Sequence, residues 1–279
     1  MSIEVLPVEV SDEVFTAWMT GNLHQAADHF GVRLDGGPLL GWRLRTISAP
    51  AVGPDDAVWL RVESARPEYA GGDGWTGNTD ANTLPNQIPR PRVLDSWQWA
   101  SDGRVQRAEL STRLAGAPPS AGDVLHDPVE LPDTWWRDLR DALDLLRPVP
   151  TRRVRVDQEL VDQQAIAAFG TPLPVRRWET VHGDLHWTNV LAPRLGILDW
   201  ELWGRGPAGT DAASLLCHSL LVPTVADRVH DTFADVLDSE DGRIAQQAVA
   251  ARMLARVQHG DYPQIEQPLR KHLARLLAG

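Results

Sequence analysis

Apolar residues recur at helical spacing at the start of the chain and through most of its second half. Over residues 11–30 they form one helical face, with Ser11 placed as N-cap and Gly31 as the end. A later helix begins at Asp133, which we expect to cap it, and ends at Pro148. The same spacing predicts further helices over 157–169, 211–221, 224–237, 240–259 and 264–278.

Short β-rich segments replace this pattern after the first helix. Segments 39–49 and 57–63 form one pair, and segments 92–99 and 104–114 form another, joined by the hairpin turn Ser101-Asp102-Gly103. This predicts an α+β fold. A small antiparallel sheet with one or two helices would occupy residues 1–114, and a mainly helical part would occupy residues 115–279.

Composition narrows the classes of function. The 279 residues include 27 basic and 38 acidic side chains, a net charge of −11, so we expect no nucleic-acid partner. No apolar run approaches the roughly 20 residues that span a bilayer, and the first ten residues carry no basic signal region. We therefore expect a cytoplasmic protein with no membrane partner. Cys217 is the single cysteine, and Lys271, in the last predicted helix, is the single lysine.

Three polar residues stand among apolar ones in the segment VHGDLHWTNVLAPRLGILDWE, residues 181–201. Asp184 follows a strand-like segment, Asn189 precedes a second strand, and Asp199 ends the return strand of the predicted hairpin. A hairpin brings Asn189 and Asp199 to the same end. Two oxygen ligands there suit Mg²⁺, and Asp184 can accept a proton from a substrate hydroxyl. This is the donor set of a phosphoryl-transfer site.

The blocks H-G-D-L-H-x-x-N-V-L, I-L-D-W-E and G-P-x-x-x-D-x-A resemble the aminoglycoside phosphotransferase and choline-kinase-like family, a relative of the protein kinases. They cover His182 to Asp211. The resemblance implies a two-lobed kinase-like fold with ATP or GTP at the lobe junction. It implies that Asp184 is the catalytic base or orients the hydroxyl, and that Asn189 and Asp199 bind Mg²⁺.

The chain departs from the kinase pattern where a lysine is expected to hold the phosphates. The best position, in the strand V-W-L-R-V, is Arg61, which can bind phosphate through two donors. The alternative is an edge-strand arginine that faces solvent. Glu68 and Asp80 are both candidates for its acidic partner. This departure motivates a second hypothesis, a catalytically degenerate kinase-like protein that binds nucleotide without turnover.

Two further segments relate to nucleotide binding. The strand ending at Leu114 looks like the family's inter-lobe hinge, where adenine would bond to the backbone of Glu109, Leu110 and Ser111. Gly72, Gly74 and Gly77 form a literal G-x-G-x-x-G, but eight residues separate the glycine-rich segment from the preceding strand. We interpret it as a flexible connection.

Several neighbours of the motif have competing interpretations. His182, Asp184 and His186 have the spacing of a metal-binding set, which would make the protein a metal-dependent hydrolase. Otherwise His182 bonds to backbone and His186 fills space under the loop. Asp211 is expected to cap the helix that follows it. The tryptophans near the motifs form either an aromatic wall for an amine or ordinary packing: Trp75, Trp187, Trp200 and Trp203.

These observations lead to one main functional hypothesis. The protein transfers the γ-phosphoryl group of ATP or GTP, with Mg²⁺, to a hydroxyl of an amine-bearing or sugar-type small molecule. An acidic protein with nearby aromatic residues fits a cationic acceptor such as an aminoglycoside or another amino sugar.

Overall fold

The computed structural model describes residues 11–54 and 56–278. Within these residues the chain forms two compact units. The first comprises the chain up to Asn82 together with Pro91–Leu114, and the second comprises Thr83–Arg90 together with the chain from Ala115 onward. The described helices are α1 Asp12–Phe30, α2 Gly72–Asp80, α3 Asp133–Leu146, α4 Gln158–Phe169, α5 Thr210–His218, α6 Pro223–Thr232, α7 Ala234–Leu237, α8 Glu240–Gln258 and α9 Glu266–Ala278.

The strands divide between the two units. The first unit holds β1 Arg33–Leu34, β2 Leu39–Leu40, β3 Thr46–Val52, β4 Ala57–Ala65, β5 Val93–Ser101 and β6 Arg104–Thr112. The second unit holds β7 Trp178–Val181, β8 Val190–Leu191, β9 Gly196–Ile197 and β10 Gly204–Pro207. The predicted antiparallel sheet followed by a helical part is confirmed.

The first unit is one antiparallel sheet in the order β1-β3-β4-β6-β5, with β2 also paired to β3. Helix α1 covers one face of it. Its Met19 and Leu23, four residues apart, pack on Ile47 of β3 and on Leu60 and Val62 of β4. The helical period of α1 meets the two-residue period of the strands, so one apolar layer forms the core.

The predicted strand 39–49 is interrupted. Gly41 packs so tightly that a Cβ there would lie 2.0 Å from Oγ1 of Thr46, and Arg43 and Leu44 have positive φ. The chain therefore turns back, and Leu39 pairs with Ser48 instead of continuing into β3.

The glycine-rich segment is a helix, so its interpretation as a flexible connection is wrong. Trp75 of α2 is buried and its indole donates to Gln98 Oε1 at 2.9 Å. Asn78 Nδ2 donates to the Glu109 carboxylate at 2.9 Å. These contacts with the sheet stabilise a helix that its glycines alone would disfavour.

The second unit is mainly helical, with boundaries close to those predicted. Helix α3 follows Pro132, which stands at the N-cap position, so Asp133 is its first residue and no cap. The predicted helix 224–237 divides at Phe233 into α6 and α7. No described helix combines the length and apolarity needed to cross a membrane.

Candidate active site

The candidate site lies on the loop that follows β7. The backbone N–H groups of His182 and Gly183 donate to the two carboxylate oxygens of Asp211, at 2.8 and 2.9 Å. The sequence predicted that Asp211 caps α5, and the structure shows that it does not. It lies fully buried in the first turn of that helix and anchors the loop instead.

Two arginines hold the same loop from its other side. Arg155 Nε and Arg252 Nη1 each donate to the Gly183 carbonyl at 2.9 Å. Gly183 has a φ of 84°, and a Cβ there would lie 2.6 Å from Cδ of Arg155. Burial and the neighbouring Arg252 lower the pKa of Arg155 to about 10. The loop backbone is thus fixed before any substrate binds.

Asp184 is the next residue, and its groups face several partners. Its carbonyl accepts from Asn189 Nδ2 at 2.9 Å. Its Oδ2 lies 3.5 Å from His186 Nε2, and its Oδ1 lies 3.6 Å from Arg252 Nη1. Burial opposes ionisation, but His186, Arg252 and Arg155 outweigh it and hold the pKa of Asp184 well below its usual range. Its carboxylate is ionised and 18% exposed.

His186 lies between two carboxylates. Its Nε2 faces Asp184, and its Nδ1 lies 3.5 Å from Asp123 Oδ1. Burial lowers its pKa, but Asp184 and Asp123 raise it further, so the net pKa lies above its ordinary value. Nε2 also lies 3.1 Å from the Asn189 amide nitrogen. Because that nitrogen is itself a donor, the Nε2 proton of the imidazolium is directed to the Asp184 carboxylate. His186 therefore does more than fill space.

Asp123 and Tyr262 extend this network and were missed by the sequence analysis. The Tyr262 hydroxyl and the Thr188 hydroxyl, the latter at 2.8 Å, donate to the Asp123 carboxylate. Asp123 and Tyr262 are 139 residues apart, and neither lies in a recognisable motif. Arg252 carried a signal, because it interrupts the buried apolar face of α8.

His182 bonds to backbone, as predicted. Its Nε2 lies 2.8 Å from the Leu198 carbonyl, and its Nδ1 accepts from the Asp184 N–H at 3.3 Å. Both ring nitrogens are thereby engaged. Among the described residues, no group of three or more His, Cys, Asp or Glu side chains is placed to hold a metal. The metal-dependent hydrolase hypothesis is therefore not supported.

Asn189 and Asp199 lie at the predicted end of the β8–β9 hairpin. The Leu198 N–H donates to the Asn189 carbonyl at 2.8 Å, which joins the two strands directly before Asp199. The Asn189 amide nitrogen is engaged by Asp184, so the side chain offers its oxygen. Asp199 has a φ of 58° and is exposed. One amide oxygen and one carboxylate are a donor set that fits Mg²⁺ with phosphate and water as its other ligands.

The four tryptophans near the motifs are packing residues. Trp75, Trp187, Trp200 and Trp203 are each at most 6% exposed. Trp187 donates to Ser219 Oγ at 3.0 Å, and Trp200 donates to the Ile197 carbonyl at 2.8 Å. They form no accessible aromatic wall, and the packing interpretation is the correct one.

In the first unit, Arg61 lies on the interior strand β4, so the edge-strand alternative is wrong. Its Nη1 is 3.3 Å from Glu63 Oε2 and 3.7 Å from Glu109 Oε2. Glu68 and Asp80 were the candidates for its acidic partner in the sequence. The two carboxylates that Arg61 contacts, Glu63 and Glu109, lie on the sheet itself.

The predicted adenine contacts also need correction. Glu109, Leu110 and Ser111 lie in β6, which has β4 on one side and β5 on the other. Their backbone groups face strand neighbours, so they do not offer the free N–H and C=O pair that an adenine needs. Glu109 instead acts through its buried carboxylate, which binds Asn78 and Arg107.

Solved structures with a similar fold include a phosphotransferase and two kinases. The aminoglycoside phosphotransferase APH(4)-Ia is 14% identical with a TM-score of 0.63, and the match covers 94% of this chain and all of that one. A microcompartment-associated aminopropanol kinase is 13% identical with a TM-score of 0.63, covering 92% and 98% of the two chains. The amicoumacin kinase hAmiN, solved with AMP-PNP and Ca²⁺, is 12% identical with a TM-score of 0.58, covering 96% and 94%.

Sequence comparison gives the family. No curated protein matches the chain significantly. The family described as phosphotransferase enzymes, APH, matches residues 106–246, which is half of the chain and includes the whole loop from His182 to Asp211. The protein is a phosphotransferase with an alcohol group as acceptor, and the chain belongs to the APH phosphotransferase family.

Proposed function

We propose that the protein is a small-molecule kinase that transfers the γ-phosphoryl group of ATP or GTP to a hydroxyl of an amine-bearing or sugar-type acceptor. The observation that carries the proposal is the fixed loop, which holds an ionised Asp184 carboxylate beside Asn189 and the hairpin end at Asp199. Phosphoryl transfer depends mainly on positioning and charge, and such a loop supplies both.

Asp184 would accept a hydrogen bond from the acceptor hydroxyl and orient its oxygen for in-line attack. The new bond joins that oxygen to the γ-phosphorus, and the bond to the bridging β-phosphate oxygen breaks. Because nearby cations hold the pKa of Asp184 low, its first role is to orient the hydroxyl, and the proton moves as the new bond nears completion.

Asn189 Oδ1 and the Asp199 carboxylate would hold Mg²⁺, which, when bound, neutralises charge on the phosphate oxygens. Arg61 would bind phosphate oxygens through its guanidinium, in place of the lysine of related kinases. Glu63 and Glu109 hold Arg61 and neutralise its charge in the absence of nucleotide.

An amine-bearing acceptor is the finer part of the proposal. Two of the solved relatives are named for an aminoglycoside and for aminopropanol, compounds that carry both an amine and a hydroxyl. The Asp123 carboxylate, 27% exposed and near Asp184 through His186, is an anionic group that suits an acceptor ammonium. The net charge of −11 favours approach of a cation.

The decisive experiment is thermal unfolding with ATP and with GTP, each in the presence and in the absence of Mg²⁺. Ligand at a hundred times its dissociation constant stabilises a protein by about 2.7 kcal/mol, which raises Tm by several degrees. We expect a shift that requires Mg²⁺ and that falls sharply in Asp199→Asn. The matched control is Asp138→Asn, an exposed aspartate on α3, which should keep the full shift. Absence of any shift with both nucleotides would contradict the proposal.

The second candidate is a kinase-like protein that binds nucleotide without turnover. The observation favouring it is Arg61, already paired with two carboxylates where related kinases use lysine. The two candidates differ in one readout. A Mg-dependent Tm shift without ADP or GDP release on any amine-bearing or sugar acceptor would favour the binding protein.

A further inference from the structure

A cavity of about 860 Å³ lies among helices α5 to α9 of the second unit. Its volume is within the range typical of small-molecule sites. None of its lining residues belongs to the loop that carries Asp184 or to the hairpin that carries Asn189 and Asp199. The cavity is therefore separate from the site of the proposed function, and binding in it does not depend on that function.

Helix α9 supplies one wall through two rows of residues four apart. Gln267, Lys271 and Arg275 form the exposed row, and Pro268, His272 and Leu276 form the deeper one. Residues four apart share a face of a helix, so the whole of this face is turned to the cavity. The exposed row carries two cations one helical turn apart, one of which is the single lysine of the chain.

The floor of the cavity is apolar. Leu216 of α5, Ala226 of α6 and Leu237 of α7 line it and are at most 9% exposed. Gln246 of α8 lies beside them, and its amide nitrogen donates to the Leu237 and Gly242 carbonyls. A ligand that reaches the floor must therefore present apolar atoms to it.

Three cations lie on the rim of the cavity. Among the described residues, no carboxylate forms an ion pair with Arg243, Lys271 or Arg275, all three of which line the cavity. By contrast Arg270, next to Lys271 but outside the cavity, pairs with Glu266 at 2.8 Å. Three unpaired cations at one cavity are notable in a chain with 11 more acidic than basic residues.

The acidic groups of the rim cancel only part of these charges. Asp227 and Asp238 are the two carboxylates of the lining, against three cations, and Asp238 Oδ1 lies 2.9 Å from His230 Nε2. Burial and the charge of Arg275 lower the pKa of His272 to about 4, so this ring is neutral at physiological pH. The cavity thus combines an apolar floor with a net positive rim.

We propose that this cavity binds an amphiphilic organic anion, with an apolar body on Leu216 and Leu237 and an anionic head between Lys271 and Arg275. A carboxylate or a phosphate ester satisfies the same two cations, and either head relieves the repulsion of like charges one turn apart. A cationic amphiphile meets the same floor but is repelled by the rim.

The test is calorimetric titration of the full chain with sodium decanoate and with decyl phosphate, each below its critical micelle concentration. Decyltrimethylammonium is the matched cation, and acetate is the head without the tail. We expect both anions to bind at one site per chain, at least tenfold more tightly than decyltrimethylammonium or acetate. The tighter of the two anions identifies the preferred head group.

Variants then locate the binding. Lys271→Met with Arg275→Met keeps the apolar stems and removes the charges, and should weaken decanoate binding at least tenfold. Arg270→Met, on the same helix but outside the cavity, should leave it unchanged, and thermal unfolding checks that both variants are folded. The proposal is overturned if decyltrimethylammonium binds as tightly as decanoate, or if the double variant keeps the affinity of wild type. It is also overturned if this face is buried in a dimer and decanoate does not bind.

Discussion

The imidazole of His186 lies 3.5 Å from the carboxylate of Asp184 and is held there by a second carboxylate, Asp123. A group whose pKa is raised on folding adds stability that is complete below its unfolded pKa, about 6.5, and disappears as pH rises through the folded value. The charge of His186 thus stabilises the loop at slightly acidic pH, and this stabilisation is lost at alkaline pH, where the imidazole is neutral.

We therefore expect His186→Gln to destabilise the protein more at pH 6 than at pH 9. Each unit by which folding raises the pKa of His186 adds about 1.4 kcal/mol to this difference. Urea unfolding of both proteins at the two pH values measures it. His24→Asn, on the exposed face of α1, is the control. Equal losses at pH 6 and pH 9 would show that His186 acts by packing alone.

Asp184→Asn should remove turnover while sparing nucleotide binding. Loss of a group that orients or deprotonates the acceptor lowers kcat by about 10²–10⁴-fold. Nucleotide binding should persist, because the proposal assigns it to Arg61, Asn189 and Asp199. The measurement pairs ADP or GDP release over a panel of amine-bearing and neutral sugar acceptors with the Mg-nucleotide Tm shift. Asp138→Asn serves as control. A variant that keeps its rate on an accepted substrate would remove Asp184 from the mechanism.

Asp211→Asn tests the anchor of the loop. The carboxylate accepts two backbone N–H groups, whereas an amide turns a donor toward one of them. A buried donor left without an acceptor costs about 1–3 kcal/mol, part of which is offset because a buried charge is removed. We expect lower stability in urea together with lower kcat. Asp231→Asn, on the exposed face of α6, should change neither.

Gly183→Ala tests whether the loop conformation needs glycine. An L-residue in the left-handed region costs about 1–2 kcal/mol, and the new Cβ would also displace Arg155 from the Gly183 carbonyl. Gly170→Ala is a matched control, because Gly170 has a similar φ of 86° but open space around it. Alanine at Gly170 should cost only the conformational strain. The Gly183 variant should lose more stability and also lower kcat, and equal effects would contradict the close-packing argument.

The sequence predicted the loop and the hairpin because their determinants are local. Asp184, Asn189 and Asp199 lie within 16 residues, and alternation of apolar and polar positions specifies the strands around them. Helix α2 was missed because its glycines disfavour a helix and its support comes from Gln98 and Glu109 on distant strands.

The charged surroundings of Asp184 were also beyond sequence reasoning. Arg252 reaches Gly183 across 69 residues, and Tyr262 reaches Asp123 across 139. Such contacts are set by how α8 and the loop before α9 pack in the second unit, and no short motif encodes that packing. The adenine contacts at Glu109–Ser111 show the same limit, because β6 and its hairpin partner β5 were predicted but the pairing of β6 with β4 on its other side was not.

His218 gives the last prediction, on acid stability. It is fully buried, and burial together with the nearby charge of His186 lowers its pKa to about 3. Its Nδ1 lies 2.7 Å from the Ser214 carbonyl, to which the neutral ring donates. Between about pH 6.5 and pH 3 the unfolded chain binds a proton here that the folded chain does not, so stability falls as pH falls through this window.

His218→Asn keeps a donor for the Ser214 carbonyl and removes the titrating group. We expect the variant to be less stable than wild type at pH 8, because a buried ring is lost, but to show a weaker decline between pH 6.5 and pH 4. One such proton contributes up to about 1.4 kcal/mol per pH unit, and urea unfolding across this range resolves that slope. His24→Asn should follow the wild-type slope. If His218→Asn also follows it, the acid sensitivity arises from other buried groups, and the buried neutral state of His218 does not control it.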